Sequence, residues 1–171
     1  MNISIVIPTY NSEKIIGKLC KLVDEYVDVT YELIIVNDSS VDNTLNPLHE
    51  IKVSNPALKI INLEQNIGQV GATLVGINQS VGEVVVTMDD DLQHHPKDIM
   101  KLVKLIDDSN YQIVIANWEQ DETLSRNLGS LIFAIISSLL IFKSIKFRNT
   151  AFRAFSKSVK YEFISFFIFS K

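Results

Sequence analysis

The sequence predicts an α/β fold with a mainly parallel sheet and helices on both faces. Three observations carry this expectation. Short β-branched runs alternate with stretches of helical periodicity, the pattern of consecutive βαβ units. No internal repeat, low-complexity tract or linker interrupts the alternation. Several of the runs stop abruptly in polar clusters, and ligands of open α/β sheets bind at the carboxyl ends of strands.

Ile3-Ser4-Ile5-Val6-Ile7 reads as the first strand, ended by Pro8-Thr9-Tyr10-Asn11. Asn11 is the expected N-cap of a helix running to about Val27. Its apolar residues Ile15, Ile16, Leu19, Leu22, Val23 and Tyr26 recur at helical spacing and form one buried face. Tyr31 to Val36 is a second strand, closed by Asn37-Asp38-Ser39-Ser40. Asp42 or Thr44 starts a helix that ends before Pro56, because the residue before a proline leaves the helical region. Leu58 to Leu63 is the third strand, and Glu64 to Gln69 a polar loop. A helix over Gly71 to Ser80 carries Gly71, Ala72 and Gly76, small residues that permit close approach to the sheet or a ligand. Val84 to Met88 is the fourth strand, Pro96 to about Asp108 a helix with Ile99, Leu102, Val103, Leu105 and Ile106 on one side, and Gln112 to Ala116 a fifth strand. Beyond Trp118 the pattern loosens: a loop over Glu119 to Thr123, a long apolar helix over Leu124 to Phe142, a strand around Thr150 to Phe155, and a final helix or tail.

At 171 residues, 47% hydrophobic and 21% charged, the chain suits a single globular domain with a real core. A net charge of −4 and the absence of a basic stripe argue against nucleic acid as a partner. The single cysteine, Cys20, excludes an internal disulfide and fits a reducing compartment; its neighbours Ile16, Leu19 and Val23 make it a core thiol. The opening Met1-Asn2-Ile3-Ser4 has no basic n-region, so no signal peptide is expected. The uncharged run from Asn127 to Phe142 falls short of the ~20 residues a spanning helix needs. That run and the phenylalanine-rich Phe163 to Phe169 fit either core helices or contact with a membrane interface.

The chemistry concentrates in Asp89-Asp90-Asp91-Leu92-Gln93-His94-His95-Pro96, directly after the fourth strand. Three adjacent carboxylates repel one another and are costly to bury without a cation. Hard divalent ions such as Mg²⁺ or Mn²⁺ take such oxygen ligands and bring phosphates with them. The plain alternative is a solvated acidic turn capping the next helix, whose N-terminus favours aspartate. If strands one, two and four are neighbours, Tyr10, Asp38 and the acidic triplet converge on one cleft that fits a nucleoside diphosphate.

Competing readings find less support. There is no G-x-G-x-x-G after the first strand and no G-x-x-x-x-G-K-[ST], which disfavours a dinucleotide site and excludes a P-loop. No Cys/His spacing suits zinc. His94 and His95 read as a polar helix start, His49 as a surface residue, and Ser39 and Ser40 lack a nucleophile elbow.

Four segments then resemble the family 2 glycosyltransferases of the GT-A fold: Val6 to Asn11, Ile35 to Thr44, Asn66 to Gln69 and Asp89 to Pro96. The D-x-D-L-Q-x-x-P form is similar to the polyprenyl-phosphate branch, the dolichyl- and undecaprenyl-phosphate sugar synthases. Thr150 to Lys157 resembles that branch's F-R-x-x-x-[RK] segment. Each motif alone is unspecific; four in this order and spacing are specific, and the likeness runs from residue 2 to about 158.

The resemblance implies a nucleotide-diphospho-sugar transferase fold, shortened at its C-terminus, with residues 1–118 as the nucleotide-sugar-binding half and 119–171 as an incomplete acceptor and membrane-proximal part. It implies Mg²⁺ or Mn²⁺ on Asp89, Asp91 and Gln93, with Asp89 and Asp91 as the catalytic pair. Pro8, Thr9, Tyr10, Asp38, Gly68, Gln69 and Asp90 would line the nucleotide-sugar site, with Asp90 against the ribose. Arg126 and Arg153 would stand near the acceptor or diphosphate. The implied reaction is inverting transfer from a UDP- or GDP-sugar to a lipid phosphate, by a cytoplasmic protein peripheral to the inner face of the cell membrane. A homo-oligomer is left open. Two other readings stand beside it: a nucleotide-binding module without turnover, and a GT-A enzyme acting on a sugar hydroxyl. The chain departs from the pattern at Asn37 and Ser39, where Asp and Gly are usual, at Ser12, where Glu is frequent, and over Asn117 to Asp121, where the branch carries arginines.

Overall fold

The computed structural model describes residues 1–109, 111–116 and 151–160. In chain order its elements are β1 (Asn2–Thr9), α1 (Ile16–Tyr26), β2 (Thr30–Asn37), α2 (Leu45–Ser54), β3 (Leu58–Asn62), α3 (Gly68–Gln79), β4 (Val84–Thr87), a short 3₁₀ turn (Pro96–Asp98), α4 (Ile99–Ser109), β5 (Ile113–Ile115) and β6 (Arg153–Ser156). The strands form one sheet in the order β3-β2-β1-β4-β6-β5. β1 pairs in parallel with β2 and β4, and β2 with β3, while β6 runs antiparallel to both β4 and β5. The mainly parallel α/β expectation holds, with an antiparallel β6 inserted between β4 and β5.

Alternate residues of the strands separate two cores. Ile3, Ile5 and Ile7 of β1, Leu33 and Ile35 of β2, and Val84 and Val86 of β4 pack with α1, α2 and α4. Val6, Ile34, Val36 and Val85 pack on the other face with Ala72 and Ile77 of α3. Both faces are therefore covered, which is why the central residues of these strands form continuous apolar runs. α3 approaches closely because Gly76 has no side chain: a Cβ there would lie 2.3 Å from Cγ1 of Val6. Cys20 is buried, and burial pushes its thiol up to about 12, so it is an inert part of this core.

Two sequence expectations are corrected. Asn11 does not cap α1. Its backbone is left-handed (φ 55°), its Oδ1 accepts the Val41 N–H at 2.9 Å, and α1 begins only at Ile16 after a turn closed on the Ser12 carbonyl. α3 starts a turn earlier than its periodicity suggested, at Gly68, because a carboxylate distant in sequence holds its first N–H groups. α1, with Ile16, Leu19, Cys20 and Val23, and α4, with Ile99, Leu102, Val103 and Ile106, share one amphipathic spacing. Both helices bury the same spaced positions in the same core, which accounts for the likeness.

Candidate active site

Because β1 lies between β2 and β4, the loops after these three strands meet at one edge of the sheet. Backbone bonds carry the ladder past the strand ends: the Asp38 N–H donates to the Thr9 carbonyl at 2.9 Å and the Met88 N–H to Val6 at 3.2 Å. Between the loops lies a cleft of about 500 Å³ lined by Pro8, Thr9, Tyr10, Asp38, Asn66, Gly68, Gln69, Asp89, Asp90 and Asp91. Its size falls within the usual range for small-molecule sites. Among the described residues the non-glycine residues with left-handed backbone are Asn11, Ser39 and Leu92, one in each of the three converging loops. Strained backbone of this kind gathers at functional sites. At Ser39 (φ 58°) it shows why a glycine suits the position.

Tyr10 stands half-exposed among the lining residues, its ring free to cover a planar ligand. Asp38 is almost wholly buried, and both of its oxygens are engaged: Oδ1 accepts the Ile67 N–H at 2.8 Å and Oδ2 the Gly68 N–H at 2.9 Å. It is the cap of α3, supplied from the end of β2. Asn66 adds a bond from Nδ2 to the Asp38 carbonyl at 3.1 Å, so the whole Asn66 to Gly68 loop hangs on this residue. Asn66 also lines the cleft, a role its place in the Asn66 to Gln69 motif could have signalled. Asn37, where Asp is usual, donates from Nδ2 to Oδ1 of Asn62 at 2.6 Å, a bond an ionised Asp could not make.

The acidic triplet points to three different partners. Asp89 accepts from the side-chain amide of Gln69, on the first turn of α3. Asp90 accepts at Oδ2 from the Thr9 hydroxyl at 2.5 Å and from the Ser12 hydroxyl. Asp91 accepts the Gln93 backbone N–H at 2.9 Å. The carboxylates are therefore not the cap of the following helix; His95 is, its Nδ1 accepting the Lys97 N–H at 3.1 Å, with Pro96 in the first position. His95 also meets the Tyr26 ring edge-on, and His94 stacks on Phe152 at 5.0 Å.

Asp89 carries the electrostatic strain of the site. Burial first, then the charge of Asp91, hold its carboxyl above the usual range, against the Gln69 hydrogen bond and the charge of His94. Arg153 lies on β6 opposite Thr87 and is within electrostatic reach of Asp89; burial lowers its guanidinium below its ordinary value, and Asp89 partly offsets that. Gln93, expected as a metal ligand, has an exposed side chain outside the cleft lining. Arg126, the long apolar run and the phenylalanine-rich tail lie outside the described residues.

The donor set suits a hard divalent cation. Asp89 and Asp91 are close enough for one charge to raise the other's protonation, and every ligating atom at the triplet is a carboxylate oxygen. Among the described residues no group of three or more His, Cys, Asp or Glu converges to cage a metal alone. A pair of carboxylates completed by substrate phosphates and water is the usual arrangement for Mg²⁺.

This mixed α/β sheet flanked by helices has the GT-A fold, and solved structures share it. The mannosyltransferase PcManGT of Pyrobaculum calidifontis, solved with GDP-Man and Mn²⁺, superposes with a TM-score of 0.64 at 19% identity, covering 94% of this chain and 46% of that one. The model of glycosyl transferase family 2 matches residues 4–171, and the chain belongs to that family. Among its relatives, the dodecaprenyl-phosphate galacturonate synthase of Rhizobium johnstonii is 34% identical over 71% of this chain and 37% of its own length. An undecaprenyl-phosphate 4-deoxy-4-formamido-L-arabinose transferase of Proteus mirabilis is 34% identical over 79% of this chain and 43% of its own. The chain thus spans less than half the length of these relatives. No helix among the described residues is long and apolar enough to cross a membrane.

Proposed function

We propose that the cleft binds the nucleoside diphosphate of a UDP- or GDP-sugar with Mg²⁺ or Mn²⁺ on Asp89 and Asp91, and that the protein transfers the sugar, with inversion, to a polyprenyl phosphate at the membrane surface. The observation that carries this reading is the meeting of Tyr10, Gln69, Asp89 and Asp91 in one cleft at the carboxyl edge of the sheet. Its relatives' acceptors, named for dodecaprenyl and undecaprenyl phosphate, supply the acceptor class.

In this reading Tyr10 covers the base, and Asp38 shapes the nucleoside end by holding the Asn66 to Gly68 loop. Asp89 and Asp91 hold the cation, which when bound stabilises the charge of the departing diphosphate. Arg153, beside Asp89, adds positive charge on the β6 side. A phosphate acceptor is already ionised near neutral pH, so the chain needs no strong general base. Donor binding is assigned to residues 1–118 and the acceptor side, with Arg126, to 119–171. The protein would work in the cytoplasm, peripheral to the inner face of the membrane.

The test is a thermal-shift panel of UDP- and GDP-sugars with and without Mn²⁺, followed by turnover on undecaprenyl phosphate. Free ligand about 100-fold above Kd stabilises by ~2.7 kcal/mol, or roughly 5–10 °C in a chain of this size. We expect one nucleotide class to give such a shift only with Mn²⁺, and Asp91→Ala to abolish it. Melting that no nucleotide moves, with metal present, would sink the reading. Metal-dependent nucleotide binding without transfer to any lipid phosphate would leave the donor site and remove the acceptor assignment.

A further inference from the structure

We propose that Asp90 is a positioning residue: Thr9 and Ser12 latch its carboxylate and thereby fix the turn that carries Asp89 and Asp91. The resemblance would place Asp90 against the ribose; in the structure it lines the cleft while one oxygen, Oδ2, is tied to the β1–α1 side. Oδ2 receives two hydroxyl donors, Thr9 at 2.5 Å and Ser12. Neither donor is a loose side chain. Thr9 is the last residue of β1, almost fully buried, with its carbonyl accepting the Asp38 N–H at 2.9 Å. Ser12 is held by its own N–H donating to Oγ1 of Thr44 at 2.8 Å, and by its carbonyl accepting the N–H groups of Ile15 and Ile16. Two fixed hydroxyls on Oδ2 hold this carboxylate in place without a cation.

The latch explains how a run of three acids divides its work. Asp89 reaches α3, Asp91 closes on its own turn, and Asp90 alone ties the segment to the β1–α1 loop. The next residue but one, Leu92, is left-handed (φ 60°), a conformation that persists only where the surroundings impose it. Residues 12 and 90 are also matched. The Ser12 hydroxyl donates to Asp90, whereas a glutamate at 12, frequent in the family pattern, would set two carboxylates against each other.

The consequence for metal affinity rests on the proposed reading of Asp89 and Asp91 as the cation pair. The test compares Asp90→Ala, Asp90→Asn and the double variant Thr9→Val/Ser12→Ala in the full chain. Two measurements are made: Mn²⁺ binding in the presence of UDP or GDP, and amide hydrogen exchange over residues 88–93 without metal. Loss of a partner that orients a metal ligand costs on the order of 10- to 100-fold in metal affinity. We expect that loss in Asp90→Ala and in the hydroxyl double variant, with no further loss when the two are combined. Asp90→Asn, which keeps an acceptor oxygen, should stay within about threefold of the parent. Exchange over 88–93 should rise in the first two and not in Asp90→Asn. Equal damage from Asn and Ala would make the charge itself the ligand and overturn the proposal, as would a hydroxyl double variant that binds Mn²⁺ normally. If the parent chain takes up no Mn²⁺ with either nucleotide, the metal reading fails. The exchange data then decide the latch alone: unchanged exchange in Asp90→Ala refutes it.

Discussion

Asp38 and Asp89 stand at the carboxyl ends of β2 and β4, on either side of β1, and line the same cleft, yet their surroundings treat their charges in opposite ways. Asp38 is the more deeply buried, and its charge is met by two backbone N–H groups at the start of α3. Asp89 is only partly buried; a neutral amide donates to it, Arg153 and His94 lie within electrostatic reach, and it faces a second carboxylate, Asp91. Burial is the first cause of the raised Asp89 carboxyl and Asp91 adds to it, and Asp89 has no pair of fixed backbone donors like the one that meets Asp38. One aspartate is committed to architecture. The other is held in a state that an added cation would relieve.

Removing Asp38 should have the largest effect on stability. Asp38→Ala strips the cap from α3 and leaves the Ile67 and Gly68 N–H groups without their carboxylate. Capping losses of this kind cost about 2 kcal/mol, and in a chain of this size that lowers the melting temperature by roughly 4–8 °C. Asp38→Asn, with one carbonyl oxygen, should recover part of the loss. Thermal or denaturant unfolding measures both. If Asp38→Ala melts like the parent and loses only nucleotide affinity, Asp38 is a ligand contact first and the contrast with Asp89 disappears.

Asp89 should respond with the opposite sign. Its carboxyl is held above the usual range, so the folded state binds more protons than the unfolded chain in the window just above ordinary carboxylate values. Stability then falls as pH rises through that window, and the deficit persists at neutral pH. Asp89→Asn removes the charge and keeps an acceptor for Gln69. Without divalent cations it should melt higher than the parent at pH 7, and the difference should vanish under acid conditions. Mn²⁺ with the cognate nucleotide should then stabilise the parent and leave Asp89→Asn unmoved. A variant less stable than the parent at pH 7 would mean that Asp89 is already compensated.

The contrast between the two residues was only half legible in the sequence. The strands could be read because their apolar β-branched runs end sharply, and the acidic triplet because three carboxylates after a buried strand demand an explanation. What could not be read was who satisfies whom. Asp38 and Gly68 are far apart in sequence, and periodicity placed the start of α3 a turn too late because that cap comes from another strand. Asn11 looked like a cap for the same reason in reverse: its side chain is used across the gap to Val41, not along its own helix. That Thr9 and Ser12 hold Oδ2 of Asp90 is likewise invisible in the triplet itself. Strand order governs all three, and order depends on packing that no single stretch encodes.

The smallest expected effect tests whether the two aspartates are linked. Gln69 sits on the first turn of α3, next to the Gly68 that Asp38 holds, and its amide is the neutral donor on Asp89. Gln69→Ala should cost about 1 kcal/mol or less in stability, because the side chain is exposed and water can replace its amide on Asp89. It should also move the acid midpoint of Asp89 upward, since that hydrogen bond favours the ionised form. A carboxyl-detected NMR titration reads the midpoint directly. Asp38→Ala should move it the same way, because freeing the start of α3 withdraws Gln69 from Asp89. Gln69→Ala, in turn, should not reproduce the stability loss of Asp38→Ala. If the Asp89 midpoint stays put in Asp38→Ala, α3 holds Gln69 without help from β2, and the two strand ends act independently.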